Sequence, residues 1–126
     1  SGAKFLQSLS TVLITTLNDL PLESVSHNPD IKKKVFVRNG ELGPITQFAR
    51  HVFQPGDVAP GHSHQDMGEI FYVLSGTLTL AVDGTISTHR PGTSIALLPN
   101  EDHELSNQTD ENLVLLTIGA RMEPNS

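Results

Sequence analysis

The sequence predicts an all-β domain of the sandwich, jelly-roll or small-barrel kind, on three observations. Short segments rich in β-branched, aromatic and leucine residues recur at 10–17, 34–38, 44–53, 70–74, 77–82, 85–89, 93–98 and 112–118. Turn-forming pairs separate many of them: Asn39-Gly40, Pro55-Gly56, Ser75-Gly76, Asp83-Gly84, Pro91-Gly92 and Pro99-Asn100. No segment sustains a helical period over a useful length. Antiparallel strands of this length bury their apolar faces by packing two sheets together or by closing one sheet on itself.

Taken in order, "AKFLQSL" at 3–9 reads as about two turns of helix, and "STVLITTL" at 10–17 as the first strand. "KVFVR" and "PITQFARHVF" follow, the second carrying Arg50 and His51 on opposite faces, because successive side chains of a strand alternate. "IFYVL" and "TLTLAV" are separated by Ser75-Gly76. Asp83-Gly84 then links "TLTLAV" to "TISTH" as a type I′ hairpin, whose two central residues both need positive φ. "TSIALL" and "NLVLLTI" complete the set, and residues beyond about 119 lack periodicity. Phe48, Phe53, Phe71, Leu78, Leu80, Ile95, Leu97, Leu115 and Ile118 are the expected core.

A single domain accounts for the 126 residues, with its core over about 30–119. The chain has no cysteine, which excludes disulfides, thiolate metal ligands and thiol nucleophiles. Its formal net charge is −6, with only 8 lysines and arginines, so nucleic acid is not an expected partner. The one basic run, Lys32-Lys33-Lys34, reads as a solvated strand entrance that guards a sheet edge. No apolar stretch approaches the roughly 20 residues of a membrane span, and no secretion signal opens the chain. A soluble, cytoplasmic protein is the expectation.

The chemistry concentrates in "PGDVAPGHSHQDMGEIFYVLSG", residues 55–76. His62 and His64 are two apart, so a strand would project both imidazoles to one face. Gly68 offers a bend that returns Glu69 toward them, and His103 in "PNEDHELSN" offers a third imidazole at the start of another strand.

These residues resemble the cupin superfamily, in particular its small single-domain members with a conserved barrel of the cupin_2 kind. The first cupin motif, G-x5-H-x-H-x4-E-x6-G, is matched at every position by Gly56, His62, His64, Glu69 and Gly76. The second, G-x5-P-x-G-x2-H-x3-N, is matched by Gly92, His103 and Asn107, with Leu98 in place of Pro and Asn100 in place of Gly. The motifs occupy 56–76 and 92–107. The resemblance implies a double-stranded β-helix, the cupin jelly-roll barrel, over 1–126. It also implies that His62, His64, Glu69 and His103 bind one divalent metal inside it. Small cupins of this kind often form homodimers, with the N-terminal segment, here "STVLITTL", exchanged between subunits.

Three imidazoles and a carboxylate suit Fe, Mn, Ni, Co, Cu or Zn, without selecting among them. Four protein ligands on a six-coordinate ion would leave positions for a small-molecule substrate, which distinguishes a reactive centre from a closed structural site. A metal-dependent enzyme is therefore expected, with dioxygenase-type oxidation ahead of isomerase or lyase chemistry. The alternative is a non-catalytic module that senses a metabolite or metal. Further candidates are His51 as a pocket residue, Arg50 as an anchor for an anionic substrate, and Tyr72, which alternation places opposite to Glu69. Asn107 reads as a turn-stabilising amide as readily as a substrate contact, and His27 and His89 as surface residues.

Overall fold

The computed structural model describes residues 5–6 and 12–123, the side chains of residues 5, 6 and 62 excepted. Its strands, in chain order, are β1 (Phe5–Leu6), β2 (Leu13–Ile14), β3 (Glu23–Val25), β4 (Asn28–Leu42), β5 (Ile45–Phe53), β6 (Val58–His62), β7 (Met67–Ser75), β8 (Leu78–Val82), β9 (Thr85–His89), β10 (Ser94–Leu97), β11 (His103–Ser106) and β12 (Leu113–Arg121). Among the described residues a single 3-10 turn covers Leu17–Asp19.

The expected all-β architecture is present as two antiparallel sheets of the jelly-roll kind. The larger has the order β10-β7-β12-β5-β4-β3 and the smaller β6-β11-β8-β9, while β1 and β2 pair with each other. Phe5–Leu6 is thus strand where the sequence suggests helix; the rest of 3–9 lies outside the described residues. The segment expected as a strand at 10–17 contributes only Leu13–Ile14 before the 3-10 turn, and residues 10 and 11 are also outside the described residues.

Alternation decides what lies between the sheets. Ile31, Phe53, Phe71, Val73, Leu97, Leu113 and Leu115 of the large sheet meet Leu78, Leu80 and Leu105 of the small one in one apolar cluster. Removal of these side chains from water is the main driving force for closing the two sheets. Phe48 and Ile118 lie on the outer face instead, half-buried, and Phe48 stacks on Phe36 at 5.0 Å between ring centroids.

The turns follow the backbone chemistry of their residues. Asp83 and Gly84 take φ of 49° and 82° between the paired strands β8 and β9, the positive pair that the hairpin requires. At Gly76 a positive φ of 81° combines with close packing, since a Cβ there would run into the backbone carbonyl of Asn112. Asn100 adopts a φ of 70°, so the asparagine that replaces the second motif's glycine occupies the left-handed region that asparagine tolerates best after glycine.

Candidate functional site

Inside the barrel, beside the apolar cluster, is a cavity of about 200 Å³ lined by residues of both sheets. Glu69 reaches it from β7, in phase with Phe71 and Val73, exactly as alternation requires of a strand whose odd-numbered residues face inward. His103 reaches it from β11, where its Cα is paired with that of His62 on β6. An irregular register between β6 and β11 follows this pair, and Gly61 lies beside Asp102 there.

His103 and Glu69 form the best-defined part of the site. Nε2 of His103 lies 3.3 Å from Oε1 of Glu69, with both side chains largely buried. Nδ1 of His103 is 3.0 Å from the carbonyl of Glu101. A carbonyl only accepts, so Nδ1 carries the proton and donates, which leaves Nε2 directed at Glu69. Burial opposes a charge on this ring, but hydrogen bonding to Glu69 and to the Glu101 carbonyl outweighs it and raises the His103 pKa above the usual histidine value.

His64 lines the same cavity from outside a strand. The ladder ends at His62 because β6 belongs to the small sheet and β7 to the large one, so the chain must leave the first to reach the second. The loop is held instead by backbone bonds: the N–H of Asn100 donates to the His64 carbonyl at 2.7 Å, and that of Met122 to the Asp66 carbonyl at 2.7 Å. Gly68, expected to bend the chain, lies within β7 and is buried, where a Cβ would press on the Leu97 carbonyl at 3.3 Å. The imidazole of His62 lies outside the described residues. Among the described residues no group of three or more His, Cys, Asp or Glu side chains is placed to hold a metal ion.

His51 also lines the cavity, from β5. It is buried, and its Nδ1 lies 3.0 Å from Oγ1 of Thr117 on β12. Burial, reinforced by the positive charge of Lys33 and only partly offset by Glu69, lowers its pKa to about 4, so the ring is neutral at pH 7. Arg50 and Tyr72, in the opposite phase of β5 and β7, do not line the cavity, and Tyr72 is 39% exposed. Asn107 is wholly buried and fully engaged in a turn. Its Nδ2 donates to the carbonyls of Phe53 and Glu111 at 3.1 and 2.7 Å, and its Oδ1 accepts from the Thr109 N–H and hydroxyl.

Several polar wall residues were not expected to face the cavity. Lys33 and Gln47 line the cavity, as does Thr117, and His27 lines it while remaining exposed. For Lys33 a signal existed: it shares parity with Ile31 and Val35, both buried, so the middle lysine of the triplet faces inward. Lys32 and Lys34 turn to other partners, the first to Ser24 and the Pro29 carbonyl, the second to the Leu17 carbonyl.

A profile of the cupin domain matches residues 49–119, more than half of the chain. The chain is a cupin. A sequence search among curated proteins finds no match. Among solved structures, this cupin is similar to a predicted oxalate decarboxylase from Thermotoga maritima, with a TM-score of 0.80 and 18% identity over 86% of this chain and 99% of that one. It is also similar to a sugar phosphate isomerase from Silicibacter pomeroyi, with a TM-score of 0.76 and 21% identity over 86% and 76% of the two chains. A third similar structure is a polyketide cyclase from Streptomyces resistomycificus, with a TM-score of 0.73 and 19% identity over 90% and 81%. The activities named for these three differ, so what they share with this cupin is the fold. No described helix is long and apolar enough to cross a membrane.

Proposed function

We propose that this cupin is a metal-dependent enzyme acting on a small molecule inside the barrel, with His62, His64, Glu69 and His103 as ligands of one divalent transition ion. The observation that carries this reading is the Glu69–His103 pair. The Nδ1–H of His103 is committed to the Glu101 carbonyl, which leaves Nε2 as the coordinating nitrogen, and a carboxylate oxygen faces it at 3.3 Å across a cavity wall that also carries His64. A backbone carbonyl that orients an imidazole in this way is the usual outer support of a metal-binding histidine. Membership of a family whose members often hold a divalent metal supports the same assignment.

An ion bound there would polarise a substrate oxygen or, if redox active, support oxidation by dioxygen. The chain's own residues enclose the substrate: Phe71 and Leu115 exclude water from part of the wall, while neutral His51, steadied by Thr117, offers a hydrogen-bond partner and proton acceptor. We place dioxygenase-type oxidation ahead of isomerase or lyase chemistry. A homodimer belongs to the same proposal, supported by Ile70, Tyr72 and Leu74, which stand 39–42% exposed in one row on the outer face of β7.

The test is elemental analysis of freshly purified protein beside His103→Ala and Glu69→Gln, with each fold checked by circular dichroism. One ion per chain in the parent, and its loss in both variants, is expected; a parent that neither carries nor takes up a transition ion ends the proposal. Turnover of small diols, enols and sugar acids, followed with and without dioxygen, then separates oxidation from isomerisation or elimination. A metal-loaded protein that converts none of them and still binds some would be a sensing module. Sedimentation velocity reads the dimer directly.

A further inference from the structure

A second polar cluster shares the cavity with Glu69 and His103, and the metal assignment makes no use of it. It lies across the large sheet from β7, on β4 and β5. Lys33 stands directly opposite His51 in the β4–β5 ladder, and its Nζ donates to Oε1 of Gln47 at 2.7 Å. Lys33 is the one lysine or arginine among the described residues lining the cavity. Its ladder partner on the other side, Glu23, is engaged by the guanidinium of Arg38. An ammonium has three protons to donate, and Gln47 accepts one of them.

A half-buried cation in a small cavity is costly unless an anion or further acceptors complete its surroundings. Burial duly pushes the Lys33 ammonium below its ordinary range, with Glu23 compensating only in part. A cavity of about 200 Å³ is smaller than the roughly 300–1,000 Å³ of pockets for drug-sized ligands, so a ligand reaching Lys33 also lies close to the Glu69–His103 pair. Lys33 and Gln47 between them offer one ammonium and one carboxamide, with no second lysine or arginine among the described residues of the wall. That set matches a carboxylate, which carries a single charge, better than a phosphate, whose near-double charge ordinarily gathers several cationic groups.

We propose that Lys33 and Gln47 anchor the carboxylate of a small substrate whose reacting end lies toward Glu69 and His103. The substrate class is then a compact carboxylic acid, a conclusion that rests on the enzymatic reading above. Lys33 is a binding residue here, with no part in the bond changes.

The experiment uses the full chain, as isolated and after EDTA treatment, titrated with lactate, lactamide, benzoate, benzamide and inorganic phosphate and followed by chemical shifts of the backbone amides. At least one acid is expected to move cavity signals and to bind roughly tenfold or more tightly than its amide, the scale of one charge-assisted hydrogen bond. Lys33→Met should abolish that preference and Lys33→Arg should restore part of it, while Glu69→Gln should leave it in place after EDTA. Equal binding of acid and amide, no cavity response to either acid, an unchanged preference in Lys33→Met, or tighter binding of phosphate would each overturn the assignment. Metal content measured on the same samples separates the two ideas. A protein without metal that keeps the preference loses the enzymatic reading alone, and a metal-loaded protein without the preference loses the anchor alone.

Discussion

Along β7 the inward-facing residues change from Val73, wholly buried in the apolar cluster with Leu78 and Leu113, to Glu69, which faces His103 at 3.3 Å. The same contrast runs along β5, from Phe53 in the cluster to His51 and Gln47 on the cavity wall. One set of strands thus supplies a dry region that holds the sheets together and a polar region whose side chains remain available to a ligand. Period-two alternation fixes which residues face inward in both regions, and only residue type distinguishes them. Stability and chemistry should therefore be separable by mutation, although the two regions share a backbone.

The largest expected effect is at the dry end. Leu78 is fully buried, so Leu78→Ala should cost about 2–5 kcal/mol in urea unfolding, through lost burial and the cavity left behind. With the proposed ion bound, metal content per folded chain should stay at the parent's value; a variant that folds yet takes up less metal than the parent would show the two regions to be coupled.

At the polar end, acid is the sharper probe. The His51 pKa drops from an ordinary 6.5 to about 4 in the fold, so above pH 6.5 both folded and unfolded chains carry it neutral. As pH falls from 6.5 toward 4, the unfolded chain takes up a proton that the folded chain refuses, and stability falls. The loss from this residue should level off below about pH 4, at a total of roughly 3 kcal/mol. Urea unfolding at pH 7, 5 and 4 should show a smaller acid loss in His51→Asn than in the parent, and parallel curves would contradict the buried neutral ring. NMR titration refines the point, because Lys33→Met should raise the His51 pKa by removing a cation that helps to depress it.

The smallest effects are expected at the turn within the second motif. Asn100→Val places a β-branched side chain at a φ of 70° and should cost roughly 1–3 kcal/mol. Asn100→Gly, which restores the cupin motif's own residue, should change stability by no more than about 1 kcal/mol and leave metal content untouched. Differential scanning calorimetry on both variants is the check, and equal melting temperatures would show that this turn carries no backbone strain.

Much of this contrast is legible in the sequence. The turn pairs punctuate the strands, and the spacing from Gly56 to Gly76 marks Glu69 and His64, both of which line the cavity. Asn100 was readable as a glycine substitute because few other side chains accept its backbone conformation. Lys33 is harder, since a lysine triplet looks solvated and only its shared parity with Ile31 and Val35 marks it as inward, while its long stem lets an inward lysine keep a polar contact at its tip. The route of His64 was also hidden. Strand alternation would have continued β6 through His64, but the strand ends at His62 where the chain changes sheets, and sheet membership is set by pairings with distant strands.

The bond from the Asn100 N–H to the His64 carbonyl has a consequence for how the protein is made. During synthesis the segment bearing His62 and His64 emerges well before Asn100, so it waits without its clasp while the intervening strands are still being added. The stretch of wall carrying His64 should therefore be among the last parts of the chain to settle, since contacts between distant segments form only after the cost of closing the loop between them has been met.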